Sequence, residues 1–178
     1  MADRIDVLDN IYGWGLNVFK SLKGVSGQTW NDLWSAIGNY TNSGTSVAFL
    51  MMDLTTGAGV SYNADSYFES ASTIKGPYIA ALNIYMPWVL ESWAGTMYET
   101  ILNSTNETYA ALRQAFEAEP MYRLAMETHA WDFNWDSWYT YYSPRMLAKV
   151  WTGMADYFMG DRQNAWWCCD IYSSKNWI

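Results

Sequence analysis

The chain has 178 residues, 51% of them hydrophobic and 16% charged, which is long and apolar enough for one folded domain and excludes a disordered chain. Its formal net charge of −8 leaves no electrostatic footprint for nucleic acid or for an anionic membrane surface. No apolar run approaches the roughly 18 residues of a membrane span, and Met1-Ala2-Asp3-Arg4-Ile5-Asp6 lacks the layout of a signal peptide.

Taken in order, Ile5, Leu8, Ile11, Tyr12, Leu16, Phe19 and Leu22 recur at helical spacing and predict one helix, bent or broken at Gly13 and Gly15. Lys23 to Ser26 reads as a turn, and Trp30, Leu33, Trp34 and Ile37 predict a short second helix ending near Gly38. Thr45 to Leu54 reads as a buried strand, Thr55 to Gly59 as a turn, and Val60 to Asn63 as the antiparallel partner strand. Further helices are expected over Met97–Leu102, Tyr109–Phe116, Glu119–Met126, Pro144–Tyr157 and Gln163–Ile171, with an aromatic-rich stretch of no clear period from Thr128 to Tyr142. Most of the twelve Trp and fourteen Tyr are expected in the core, and the adjacent Cys168 and Cys169 are expected to be free.

The chemistry-bearing segment is Ser72-Thr73-Ile74-Lys75, followed by Gly76-Pro77 and the apolar run Ile79 to Leu82. A helix opening near Ala71 puts Ser72 and Lys75 on one face, and Pro77 fits its first turn. A serine hydroxyl needs an adjacent base to act as a nucleophile, and a partly buried lysine that sheds its proton is such a base. A helix N-terminus also favours a developing oxyanion. The spacing alone also fits a solvated Ser and a solvated Lys on a surface helix.

The run Val47 to Gly57, a second strand, Asn63-Ala64-Asp65, Phe68 and then Ala71-Ser72-Thr73-Ile74-Lys75 resembles the N-terminal half of the serine β-lactamase and penicillin-binding protein superfamily, in its class A-like branch. Ser104-Thr105-Asn106 matches that family's Ser-x-Asn element, and Tyr142-Ser143-Pro144-Arg145 resembles the entry to the helix after its Ω-loop. The resemblance implies an α+β fold of the β-lactamase type, present as a mainly helical part plus an N-terminal β-hairpin. It divides a single domain, 1–178, into N-terminal helices (1–43), hairpin (44–63) and helical region (64–178). It implies acylation of Ser72 by a β-lactam or a D-alanyl cell-wall peptide, with Lys75 as proton acceptor, Ser104 as proton relay to the leaving nitrogen and Asn106 as ligand of the substrate amide. It implies no cofactor and no metal, and an extracellular or cell-envelope setting. A helix cap is the other reading of Ser104 and Asn106.

Two departures qualify it. The family's Lys-Thr/Ser-Gly strand is absent, since Lys175 is followed by Asn176, and the chain is expected to be truncated there, inviting homodimerisation or association with a missing C-terminal segment. No Glu-x-x-Leu-Asn occurs between Thr128 and Tyr142, and Glu127, Asp132 and Asp136 lack that setting, so poor deacylation is expected. Activity as an enzyme then hinges on the Lys-Thr-Gly segment being supplied. The alternative is a non-catalytic wall-peptide or glycan-binding protein whose groove draws on some of Trp131, Trp135, Trp138 and Tyr139. His129, the sole histidine, has no triad partner in sequence and no zinc-ligand spacing with the cysteines.

Overall fold

The computed structural model describes residues 2–22 and 24–174; Lys23 and Lys175, invoked above, lie outside them. The described chain is a mixed α and β structure in the order α1 (Ala2–Asn10), β1 (Leu16–Phe19), α2 (Gly27–Asn42), β2 (Phe49–Met52), β3 (Gly59–Tyr62), β4 (Phe68–Glu69), a 3-10 turn (Ala71–Ile74) and α3 (Lys75–Tyr85). There follow a second 3-10 turn (Pro87–Val89), α4 (Leu90–Leu102), α5 (Asn106–Phe116), α6 (Glu119–Glu127), β5 (Tyr141–Tyr142), α7 (Pro144–Phe158) and α8 (Ala165–Ser174). None of these helices is long and apolar enough to cross a membrane.

The expected helix from Ile5 to Leu22 is overturned: it stops at Asn10, and Leu16–Phe19 is a strand. Gly15 takes a left-handed turn (φ 68°), and at Gly13 an added Cβ would lie 1.7 Å from Asp65 Oδ2, so the chain there passes too close for any side chain. Leaving the helix lets Leu16 to Phe19 pair with Tyr62 to Gly59, and the predicted hairpin becomes a three-stranded antiparallel sheet of order β1-β3-β2. The central strand β3 is buried, whereas β2 is a half-buried edge and not the buried strand expected over Thr45–Leu54. The helix expected to end near Gly38 runs to Asn42, capped at its start by Ser26, whose Oγ accepts from Thr29 N at 3.1 Å.

The helical core forms around α3, in which every residue but Gly76 is buried. A helix apolar on all sides must be surrounded, and α3 packs against α4, α6, α7 and α8. Tyrosine, not tryptophan, carries the aromatic core. Tyr78, Tyr109 and Tyr157 are buried, while Trp14, Trp34, Trp88, Trp131 and Trp166 are each more than half exposed. The buried phenols find backbone acceptors: Tyr78 donates to Glu117 O at 2.9 Å, Tyr109 to Trp138 O at 2.8 Å and Tyr157 to Gln163 O at 2.7 Å.

Polar side chains tie α1 to α7. Arg4 pairs with Asp156 at 2.7 Å, and the Asp9 carboxylate takes Lys149 on one oxygen and His129 Nδ1, at 2.8 Å, on the other. Burial raises the Asp9 carboxyl, but the hydrogen bonds from His129 and Lys149 outweigh it and hold the pKa below 3.8. A depressed carboxylate stabilises the fold above its unfolded pKa, and that contribution fades as pH falls through the folded value. Asp9→Asn is therefore expected to be less stable than wild type near neutral pH, with the gap closing below pH 3.8. Urea unfolding of both proteins across that range checks it, and a gap independent of pH would contradict it.

Candidate active site

The chain reaches the site through β4, which pairs with β5 in the register Phe68↔Tyr142 and Glu69↔Tyr141. Ser70 N then donates to Thr140 O at 2.8 Å, and Thr73 Oγ1 donates to Ser70 O at 2.5 Å and bonds the Tyr142 hydroxyl. Between these anchors Ala71 sits in the left-handed region (φ 43°), a conformation that costs a non-glycine residue on the order of 1–3 kcal/mol and persists only where its surroundings enforce it. The predicted helix start is thus a 3-10 turn carrying Ser72, continued by α3 from Lys75. Ser72 is solvent-exposed, and its hydroxyl makes no hydrogen bond to a described residue.

Lys75 is 2% exposed, and its amine points at the loop between α4 and α5. Nζ donates to Ser104 O at 2.5 Å and to Asn106 Oδ1 at 2.6 Å, and lies 3.4 Å from Ser104 Oγ. Two segments 29 residues apart in sequence therefore meet on one nitrogen. Ser104 is itself left-handed (φ 54°), which turns the chain sharply between the two helices. The capping alternative finds no support: Thr105, not Ser104 or Asn106, is the N-cap of α5, and it makes no side-chain cap bond.

Two tyrosines complete the surroundings, and neither was marked by any motif. The Tyr109 ring lies 5.9 Å from Lys75 Nζ, and burial pushes its phenol up to about 12 although the Arg113 guanidinium pulls the other way. Tyr139 donates its hydroxyl to Asn106 Oδ1 at 3.2 Å and packs edge-on against Tyr109 with ring centroids 5.6 Å apart. Tyr142, beside Thr73, is likewise raised by burial, the Thr73 hydrogen bond pulling it down. Of the segment's carboxylates, none of Glu127, Asp132 and Asp136 hydrogen-bonds Lys75, Ser104 or Asn106.

Of the four aromatic residues named for a groove, Trp135 and Trp138 share a pocket and Trp131 does not line it. Trp131 stacks on His129 at 4.9 Å, whereas Trp135 packs on Tyr122 at 4.8 Å and, with Trp138, lines a separate pocket of about 510 Å³ beside Arg113 and Glu119. A larger apolar groove of about 730 Å³ runs from the β2 edge (Phe49, Leu50) past Leu147 and Trp151 to Ser70 and Thr73. It adjoins the 3-10 turn of Ser72, but Ser72, Lys75, Ser104 and Asn106 do not line it. Cys168 is buried and Cys169 exposed, both free, and burial pushes the Cys168 thiol up to about 12.

The structure brings Lys75, Ser104 and Asn106 together but not the Ser72 hydroxyl, and one comparison bears on the class of protein. Residues 31–83, which include β2, β3, the Ser72 turn and most of α3, match the model of a family described as the β-lactamase enzyme family (Beta-lactamase2). The match is consistent with a member of the serine β-lactamase-like superfamily and supports a serine hydrolase-like function. No curated protein and no solved structure matches the chain.

Proposed function

We propose that the chain carries the acylation centre of a β-lactamase-like serine hydrolase or acyltransferase with the α+β fold of that superfamily, acting on β-lactams or D-alanyl cell-wall peptides in the cell envelope. The observation that carries this reading is the convergence of Ser104 and Asn106 on the buried Lys75 amine, one turn after Ser72. With Lys75 as the proton acceptor, Ser72 Oγ attacks the substrate carbonyl carbon, forming the ester C–O bond while the hydroxyl proton passes to Nζ. The amide C–N bond then breaks, and the proton reaches the departing nitrogen through Ser104 Oγ, 3.4 Å from Nζ. Asn106 Nδ2, which donates to no described residue, is left to hold the substrate amide oxygen.

Deacylation needs a base to activate water, and no carboxylate of the Thr128–Tyr142 stretch hydrogen-bonds Lys75, Ser104 or Asn106. A persistent acyl-enzyme follows. The unpaired β2 edge and its apolar groove also favour an added strand, from a second copy or from a C-terminal segment carrying Lys-Thr-Gly. The test is incubation with a fluorescent penicillin. A covalent adduct that survives denaturation and is lost in Ser72→Ala is the expected result; an unlabelled wild type leaves binding without chemistry. That second reading is favoured by the unbonded Ser72 hydroxyl and the Trp135–Trp138 pocket, and retention on a glycan column abolished by Trp138→Ala would support it.

A further inference from the structure

Asn106 is useful to a substrate amide only if its own amide faces the right way, and reversing it interchanges an acceptor and a donor. Oδ1 has two lone pairs, and both are taken: one by Lys75 Nζ at 2.6 Å, the other by the Tyr139 hydroxyl at 3.2 Å. In the reversed orientation the NH₂ group would face the N–H groups of Lys75, and the Tyr139 hydroxyl would have to turn its proton away and accept instead. Lys75 Nζ is shared among Ser104 O, Ser104 Oγ and Asn106 Oδ1, so a second hydrogen bond to Oδ1 from a braced ring steadies the Asn106 side chain.

We propose that Tyr139 is a positioning residue that anchors the Asn106 side chain through a second hydrogen bond to Oδ1, holding Oδ1 toward Lys75 and Nδ2 toward substrate. The framework around Tyr139 suits the task. Its ring is braced by Tyr109, whose hydroxyl holds Trp138 O at 2.8 Å, and its own carbonyl accepts from Ser137 Oγ at 3.0 Å. The backbone on both sides of the peptide bond that leads into Tyr139 is thereby fixed. The role assigned to Asn106 rests on the acyl-enzyme reading above; the anchoring itself does not.

The test is Tyr139→Phe, which removes one oxygen and keeps the ring packed on Tyr109, with thermal melting to verify the fold. Two probes separate positioning from general damage: a penicillin bearing an acylated side chain, and 6-aminopenicillanic acid, which has no side-chain amide for Asn106 to hold. The variant is expected to lose about 5- to 10-fold in the second-order acylation constant for the first probe and to be unchanged for the second, as read by mass spectrometry. Equal losses on both would overturn the proposal, as would no loss on either. Independently of any acylation, the Asn106 Nδ2 resonances, identified by their disappearance in Asn106→Ala, are expected to shift or broaden in ¹⁵N spectra of Tyr139→Phe; unchanged resonances overturn the anchoring. A wild type that is never acylated sinks the acyl-enzyme reading, while the spectra still decide the role of Tyr139.

Discussion

Replacing Lys75 with methionine is expected to slow acylation of Ser72 by about 10²- to 10⁴-fold, the range over which a positioned general base acts. Methionine keeps much of the length and fills the same buried space, so the loss falls on the proton acceptor and not on packing. Of the partners named above, Asn106 Oδ1 retains Tyr139, but the half-buried Ser104 O loses its 2.5 Å donor, at a cost of about 1 kcal/mol. The measurement is the time course of adduct formation in wild type and variant at saturating fluorescent penicillin, with melting curves beside it. Labelling of Lys75→Met at the wild-type rate would remove Lys75 from the proton path.

The largest expected effect on stability is that of Arg145→Met. The Arg145 guanidinium joins three parts of the chain that are remote in sequence: it holds Leu8 O and Ile11 O at 2.7 Å each, and both carboxylate oxygens of Asp65 at 2.7 and 3.1 Å. It thus caps the carbonyl end of α1, where a cation is favoured, and fixes the segment between β3 and β4 to the start of α7. The side chain is 13% exposed, so its loss strands acceptors that water does not fully reach. Losing the hydrogen bonds of such a part-buried charged group costs about 1.5–3 kcal/mol. For a chain of this size each kcal/mol moves Tm by about 2–4 °C, so a fall of roughly 3–12 °C is expected in calorimetry. A change of a degree or two would show that α1 is held by the burial of Ile5 and Leu8 instead.

Much of the site was legible because its elements announce themselves locally. Pro77, the apolar run after it and the glycines around the β2–β3 turn mark a hairpin followed by a buried helix, and Ser72, Lys75, Ser104 and Asn106 could be named from type and order alone. Three of them do meet. Other features depend on tertiary contacts that no local pattern records. Leu16 to Phe19 has helical spacing with Ile5 and Leu8, yet pairing with β3 satisfies its backbone better than a helix interrupted by two glycines would. Tyr139 lies in an aromatic stretch without period, and its link to Asn106 spans 33 residues, so nothing near it in sequence points to that partner. Composition places most of the Trp and Tyr in the core, yet Trp14, Trp34 and Trp166 are exposed, while the smaller Tyr78 and Tyr109 are buried and find carbonyls there.

The strand order β1-β3-β2 also bears on how the molecule assembles. Met51 faces Val60 across a short turn, whereas Asn17 faces Ser61 only after all of α2 has been looped out. The entropy of closing a loop grows with its length, so the β2–β3 ladder is the cheaper to nucleate and β1 joins an edge already made. With α1 fastened to α7 by side-chain clamps beside the burial of Ile5 and Leu8, the segment from α1 to β1 is expected to dock late. Amide exchange in Leu16–Phe19 should accordingly outpace that in α3, and partial unfolding would shed the N-terminal segment while leaving the turn at Ser72 and its lysine in place.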